Sequence, residues 1–287
     1  VEIAIRFDDT IPRVESLNYI TGDYVGGVFT LTGSIQDDEG IDRVQISYDG
    51  GISYYDMFNR DQGTNDGSIT ENADNDFTMA KSINTANIPG QGAVTAAPLY
   101  LRLLVTDNAD YQAVTYLTLN VDNVYPTNDP DGFTANAMNI RGTEALVQGT
   151  AEDAGAISGI ESVDVYFIRS GQIFNFTSGF EAAGSYDFGD GDNSVAYIPG
   201  GGTASDYLIQ IDDPGELGNG DTGPLGDDDG FNESISLSGS TYTWYAEFDS
   251  TIANFTDGAI EVHYVINDSA GNGNHYVESG FVKNNYP

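Results

Sequence analysis

The residues able to do chemistry in this chain are almost all carboxylates. Its 287 residues carry 45 Asp and Glu against 9 Lys and Arg, 2 His and no Cys, a formal net charge of −36. Without Cys there is no disulfide, no thiolate nucleophile and no thiolate metal ligand. The two histidines, His263 and His275, flank one C-terminal hairpin, and His263 stands out of phase with the apolar positions around it, so it is expected in solvent. Neither is accompanied by a nucleophile, and no Gly-x-Ser-x-Gly, His-Glu-x-x-His or phosphate loop is present, so no catalytic residue and no enzyme activity is expected. Carboxylate pairs could make a glycosidase, but among so many acids a pair at the required separation arises by chance. Dense Asp does suit oxygen ligation of a hard cation such as Ca²⁺, or solubility in a salt-rich medium. It repels a phosphate backbone, which excludes nucleic acid as a partner.

These residues must be positioned by strands. Apolar residues recur at every second position, rich in β-branched and aromatic types, and no helical period is visible. The alternation predicts strands in the first half near Arg13 to Ile20, Val28 to Gln36, Asp42 to Tyr48, Phe77 to Ile83, Leu99 to Thr106 and Gln112 to Val121. A phrase joining the end of an apolar stretch to an Asp/Asn pair and a Pro occurs three times, as RFDDTIP from Arg6, NVDNVYP from Asn120 and FVKNNYP from Phe281. It reads as a last strand, a turn and a stiff lead into a next module.

Between the phrases the same landmarks return in the same order. Gly33 and Asp37 match Gly149 and Asp153; Val44, Ile46 and Tyr48 match Val163, Val165 and Phe167. Phe77 and Thr78 match Tyr242 and Thr243; Leu99, Leu101, Leu103 and Val105 match Ile260, Val262, Tyr264 and Ile266. The early matches and the late ones differ in offset by roughly 40 residues, so the second module carries a Gly/Asp-rich insertion at about 169–240. The expected organisation is 1–12 as the end of a preceding module and its linker, 13–124 as module 1 and 125–287 as module 2. No run of apolar residues is long enough for a membrane span.

The TGSIQDDEGI turn from Thr32, the SYDGGISYYD hairpin from Ser47, the VTDNAD turn from Val105 and the VDNVYP linker together resemble bacterial immunoglobulin-like (Big-type) modules. Module 2 is closer to that pattern at NDSAGN from Asn267, whereas module 1 ends its turn in Asp110-Tyr111. The resemblance implies an all-β chain of two tandem immunoglobulin-like antiparallel β-sandwiches, the second with a long insertion. It implies an extracellular or cell-surface place in an adhesin, fibre, surface layer or secreted multidomain protein, with neighbouring modules of the same chain as partners. The expected function is a non-catalytic spacer and interaction module; the alternative is a carbohydrate-binding ancillary module of a secreted hydrolase.

Three local features are candidate sites. Ser47-x-Asp49-x-Gly51-x-Ser53-Tyr54 is similar to the Asp-box hairpin of sialidases, though one copy is expected to do no more than make a tight turn. In the insertion, Phe174, Phe176, Tyr186 and Phe188 form either a ligand platform for a glycan or surface protein, or an added hairpin whose aromatics cover the sheet. In immunoglobulin-like order, the turn after the second strand and the turn of the last hairpin share one end of the sandwich with the incoming linker. That gathers Asp8, Asp9, Asp37, Asp38 and Asp107 in module 1, and Asp122, Asn123, Glu152, Asp153 and Asp268 in module 2. Either set holds a Ca²⁺ ion through six to eight oxygens, or each Asp caps its own turn.

Overall fold

The computed structural model describes residues 9–284 apart from 39, 73–75, 92–95, 129–133, 136–138, 144, 154–157, 177, 183–206, 208, 212–231 and 239–240. The chain divides into two compact units, Val1–Asn123 and Val124–Pro287.

Unit 1 runs through β1 (Arg13–Leu17), β2 (Tyr24–Val25), β3 (Val28–Gln36), β4 (Ile41–Ser47), β5 (Tyr55–Asn59), β6 (Thr64–Asn65), β7 (Ile69–Glu71), β8 (Asp76–Asn84), β9 (Ala96–Asp107) and β10 (Gln112–Asp122). Its two sheets have the orders β1-β3-β8-β7 and β2-β10-β9-β4-β5-β6. These are the two layers of an immunoglobulin-like sandwich, with the short β2 lying parallel to β10 while the other pairs of its sheet are antiparallel. Alternation drives the layering: along β3 and β8 every second residue is buried, and Leu31, Ile35, Phe77 and Met79 face Val44, Ile46, Leu101, Leu103 and Leu119 of the other sheet.

Unit 2 repeats the plan with β11 (Thr134–Ala135), β12 (Asn139–Ile140), β13 (Ala145–Glu152), β14 (Ile160–Arg169), β15 (Gln172–Asn175), β16 (Gly179–Ala182), β17 (Ile209–Ile211), β18 (Asn232–Ser238), β19 (Thr241–Phe248), β20 (Gly258–Asp268) and β21 (Gly273–Lys283). The orders are β11-β13-β19-β18 and β12-β21-β20-β14-β15-β16, with β17 also pairing β14. The matched landmarks are structural equivalents. Gly33 pairs with Met79 and Gly149 with Trp244, and in each unit the glycine allows close approach: a Cβ would lie 2.5 Å from the Ser16 carbonyl oxygen in one and 2.5 Å from the Trp244 ring in the other.

Two expectations are corrected here. The short edge strands β2, β5, β6 and β7 were not visible as alternation, because strands of two to five residues at a sheet edge bury too few side chains. More important, the 169–240 segment is not an appendage to a core that lies outside it. Phe174, Phe176, Ile209, Ile211 and Ile235 all belong to the core of unit 2, beside Phe167, Trp244 and Phe255. β17 and β15 divide the free edge of β14 between them, at Val163–Val165 and Ile168–Arg169, so the insertion supplies the strands that complete this sheet.

Candidate metal centres

Each inward-facing run of the long hairpin ends on an aspartate. Leu99, Leu101, Leu103 and Val105 are followed at the same parity by Asp107, and Ile260, Val262, Tyr264 and Ile266 by Asp268; both aspartates are fully buried. A carboxylate at the end of a core stripe is costly unless its oxygens are met. In unit 1, Asp107 Oδ1 accepts the backbone N–H groups of Ala109 and Tyr111, at 2.8 and 2.9 Å. In unit 2, Asp268 Oδ1 accepts those of Ala270 and Asn272, at 2.9 and 2.8 Å. The turn-capping role is therefore real, but it uses one oxygen of each group.

The early turn comes to the same end. Ile41 is the register partner of Asp107 and Ile160 that of Asp268. Asn108 donates its backbone N–H to the Gly40 carbonyl, 3.1 Å, and Ser269 does so to Gly159, 3.2 Å. Buried Asp37 caps this turn by accepting Gly40 N–H at 2.9 Å, as Asp153 accepts Gly159 N–H at 2.8 Å. In unit 2 a carboxylate oxygen of Asp153 lies within 4.8 Å of one of Asp268. Two acids at that distance repel each other, and a cation between them removes the repulsion.

The second oxygens differ. Asp268 Oδ2 accepts the Asn272 side-chain amide at 2.7 Å. Asp107 Oδ2, buried, has no hydrogen-bond partner among the described residues. The incoming segment of unit 1 passes this end: Asp9, Thr10 and Ile11 line an open cleft with Asp37 and Asp38, and the Thr10 hydroxyl bonds Asp38. Asp8 lies outside the described residues. In unit 2 the incoming segment is tied down by the antiparallel bridge of Thr127 with Glu152, and by Asn128 Nδ2 donating to Tyr264 Oη at 2.6 Å. Glu152 Oε1 accepts the Thr241 hydroxyl at 2.7 Å.

Asp122 and Asn123 end unit 1, and both are buried. The Asn123 side-chain oxygen accepts Gly27 N–H at 2.9 Å and the Thr85 hydroxyl at 2.6 Å. Its side-chain oxygen thus ties the end of β10 to Gly27 and Thr85 inside unit 1.

The remaining candidates resolve differently. Phe174 and Phe176 are core residues, Phe174 with its ring centroid 4.4 Å from that of Phe255, which removes them from any exposed platform. Tyr186 and Phe188 lie outside the described residues. The Asp-box-like hairpin is a turn: Asp49 Oδ1 accepts the N–H groups of Ile52 and Ser53 and the Ser47 hydroxyl, with φ of 72° and 95° at Gly50 and Gly51. The backbone N–H of Ser53, foremost, holds the Asp49 carboxyl at about 2. His263 is not solvated. It is buried, its Nδ1 3.0 Å from His275 Nε2 with the rings stacked, and its Nε2 3.5 Å from Glu261. Burial, the larger influence, pushes its pKa down against the upward pull of Glu261. Sequence parity placed it on the outer face correctly; it could not show that the partner strand would set His275 against it.

No protein-family model and no curated protein matches the chain. Solved structures similar to it include fibronectin(III)-like modules of CbhA from Clostridium thermocellum, with 11 % identity, 96 % of this chain and 94 % of that one covered, and a TM-score of 0.42. Dimeric latent PorU from Porphyromonas gingivalis shows 12 % identity and a TM-score of 0.34, this chain being covered in full and spanning 21 % of that one. A 1.5-MDa bacterial ice-binding adhesin shows 13 % identity and a TM-score of 0.30, over 96 % of this chain and 65 % of that one. Scores this low leave the immunoglobulin-like assignment resting on the strand order itself.

Proposed function

We propose that the chain is a pair of non-catalytic modules of an extracellular surface protein, which space or display neighbouring modules, and that Ca²⁺ stiffens the end where the chain enters each module. The observation that carries the metal reading is Asp107: a fully buried carboxylate with one oxygen capping its turn and the other, Oδ2, unmet among the described residues. Its counterpart Asp268 has Asp153 within reach of the same cation. A hard ion taking six to eight oxygens at about 2.3 to 2.6 Å accepts such turn carboxylates together with water and the acids just ahead in the sequence. The spacer reading draws on the repeated sandwich, the same strand order recurring in both units.

Calorimetric titration of chelator-stripped protein tests it. Heat of binding and a raised melting temperature at millimolar Ca²⁺ are expected, both lost on Asp107→Ala with Asp268→Ala. No heat and no thermal shift, or an unchanged response in that variant, sinks the calcium reading.

A further inference from the structure

The outer face of the six-stranded sheet of unit 1 differs in character from the rest of this acidic chain. Strand parity turns Arg43 and Gln45 of β4, Tyr100 and Arg102 of β9, and Val114 and Tyr116 of β10 outward. Between Arg43 and Ser47 of β4, Tyr100 and Thr106 of β9, and Gln112 and Asn120 of β10 no outward position is acidic, in a chain with 45 acids, and two of the nine cations stand there. Two acids border it: Asp49, bridged to Tyr100, has its Oδ1 taken by the N–H groups of Ile52 and Ser53 and the Ser47 hydroxyl, and Asp56 of β5 accepts the Gln45 amide at 2.7 Å and the Asn59 amide at 3.2 Å. Tyr100 is 54 % and Tyr116 62 % exposed, so two phenol rings lie open on adjacent strands.

Arg102 sits between them and is held ready. It is the register partner of Tyr116, and its guanidinium carbon lies 4.7 Å from that ring's centroid. Arg13, Arg60, Lys81 and Lys283 each pair with a carboxylate. Arg102 makes no ion pair and no hydrogen bond among the described residues, so its N–H fork is unclaimed. The neighbouring hairpin leaves it room: a Cβ on Gly51 would lie 2.6 Å from Arg102 Nη1 and 3.0 Å from Tyr54 Oη.

We propose that this face binds a glycan bearing carboxylates, with Tyr100 and Tyr116 stacking on sugar rings and Arg102 gripping a uronate through its fork. Aromatic faces carry the apolar side of a sugar, and a planar guanidinium matches a carboxylate with two parallel bonds. The acid-free part of the face is small for a stable protein dimer. Three strands about 4.8 Å apart, with outward rows about 6.8 Å apart, give roughly 300 Å², against the ~800 Å² per partner of a stable complex. The net charge of −36 works against a dense polyanion, but at physiological salt such repulsion is screened beyond about 8 Å. A short oligosaccharide with spaced carboxylates can lie over Tyr100, Arg102 and Tyr116, the bordering carboxylates of Asp49 and Asp56 being already hydrogen-bonded.

Titration of the full chain in chelator with tetragalacturonate and, separately, with neutral maltotetraose tests the proposal apart from any calcium effect. Saturable millimolar or tighter binding of the acidic sugar is expected, at least about tenfold tighter than of the neutral one. Arg102→Gln and Tyr116→Ala should each weaken it about tenfold at unchanged melting temperature, and Tyr100→Ala replaces Tyr116→Ala if that variant is destabilised. Absence of binding, equal affinity for the two sugars, or binding untouched by these variants overturns the proposal. So does a concentration-dependent doubling of mass that Arg102→Gln abolishes, which would give the face to a second copy of the chain.

Discussion

Asp107 and Asp268 hold one register position in two copies of one fold, and their surroundings part company four residues later. In unit 2 that place is Asn272, whose amide meets Asp268 Oδ2; in unit 1 it is Tyr111, and Asp107 Oδ2 goes unmet among the described residues. The residue before it differs in the same sense, Gly271 at φ 85° against Asp110 at φ 70°, a conformation that costs a side chain about 1 kcal/mol. Unit 2 thus satisfies its turn from within, and unit 1 leaves the same turn strained and short of one hydrogen bond. A cation at this end has more to offer unit 1.

The units also differ in what completes their sheets, and this difference should give the largest effect. Deleting Gly171–Ser238 behind a short bridge removes β15 to β18 with Phe174, Ile209, Ile211 and Ile235. Thermal scans should then show loss of the cooperative transition of unit 2 and retention of that of unit 1. Phe174→Ala alone should destabilise unit 2 by about 3 to 5 kcal/mol. A deletion product with both transitions intact would return the insertion to the surface.

The turn comparison sharpens at a smaller scale. Asp110→Gly with Tyr111→Asn rewrites the turn of unit 1 as that of unit 2. In chelator it should stabilise unit 1 by about 1 to 2 kcal/mol in denaturant unfolding, one hydrogen bond to a buried group plus the relieved φ. It should also shrink the thermal shift that Ca²⁺ gives. An unchanged midpoint would mean that Asp107 Oδ2 is not short of a partner.

The smallest effect is on pH. Both histidines lie in unit 2, and burial keeps His263 neutral below its ordinary 6.5. The unfolded chain takes that proton at higher pH than the folded one. Stability is therefore full above about 6.5 and declines as pH falls below it, by at most ~1.4 kcal/mol per pH unit. Unit 2 should lose melting temperature between pH 7 and 5 more steeply than unit 1, and His263→Gln should remove the excess. Equal slopes for the two units would refute this.

Much of the scaffold was legible because alternation is strong wherever a strand buries a whole face, as in β3, β9 and β20 and their counterparts. The glycine pair Gly33 and Gly149 and the aspartate pair Asp107 and Asp268 could be aligned for the same reason: each stands at a fixed phase to such a strand. What could not be read depends on pairing across long separations. Phe174 and Phe176 look alike as platform or core until β14 is seen to need an edge partner. That Asn123 ties Gly27 and Thr85 to the end of β10 likewise shows only once the strands are paired. The face around Arg102 carries no motif at all, since it arises only when three strands line up in register.

One small element has a consequence for force. β2 lies parallel to β10 through Tyr24 with Asn120 and Val25 with Val121, and β12 lies parallel to β21 through Asn139 with Val282 and Ile140 with Lys283. In each unit an early strand and the final strand run side by side in the same direction. Tension along the chain draws such a pair in opposite senses along their common axis, so their hydrogen bonds are loaded together in shear and must break together. An antiparallel pairing there would have opened one bond at a time. Gly22 N–H to Thr118, Asn120 N–H to Asp23 and Asn284 N–H to Ile140 lengthen these clamps. A module built this way yields late under a pull, which is the loading a spacer between a surface and whatever it holds would meet.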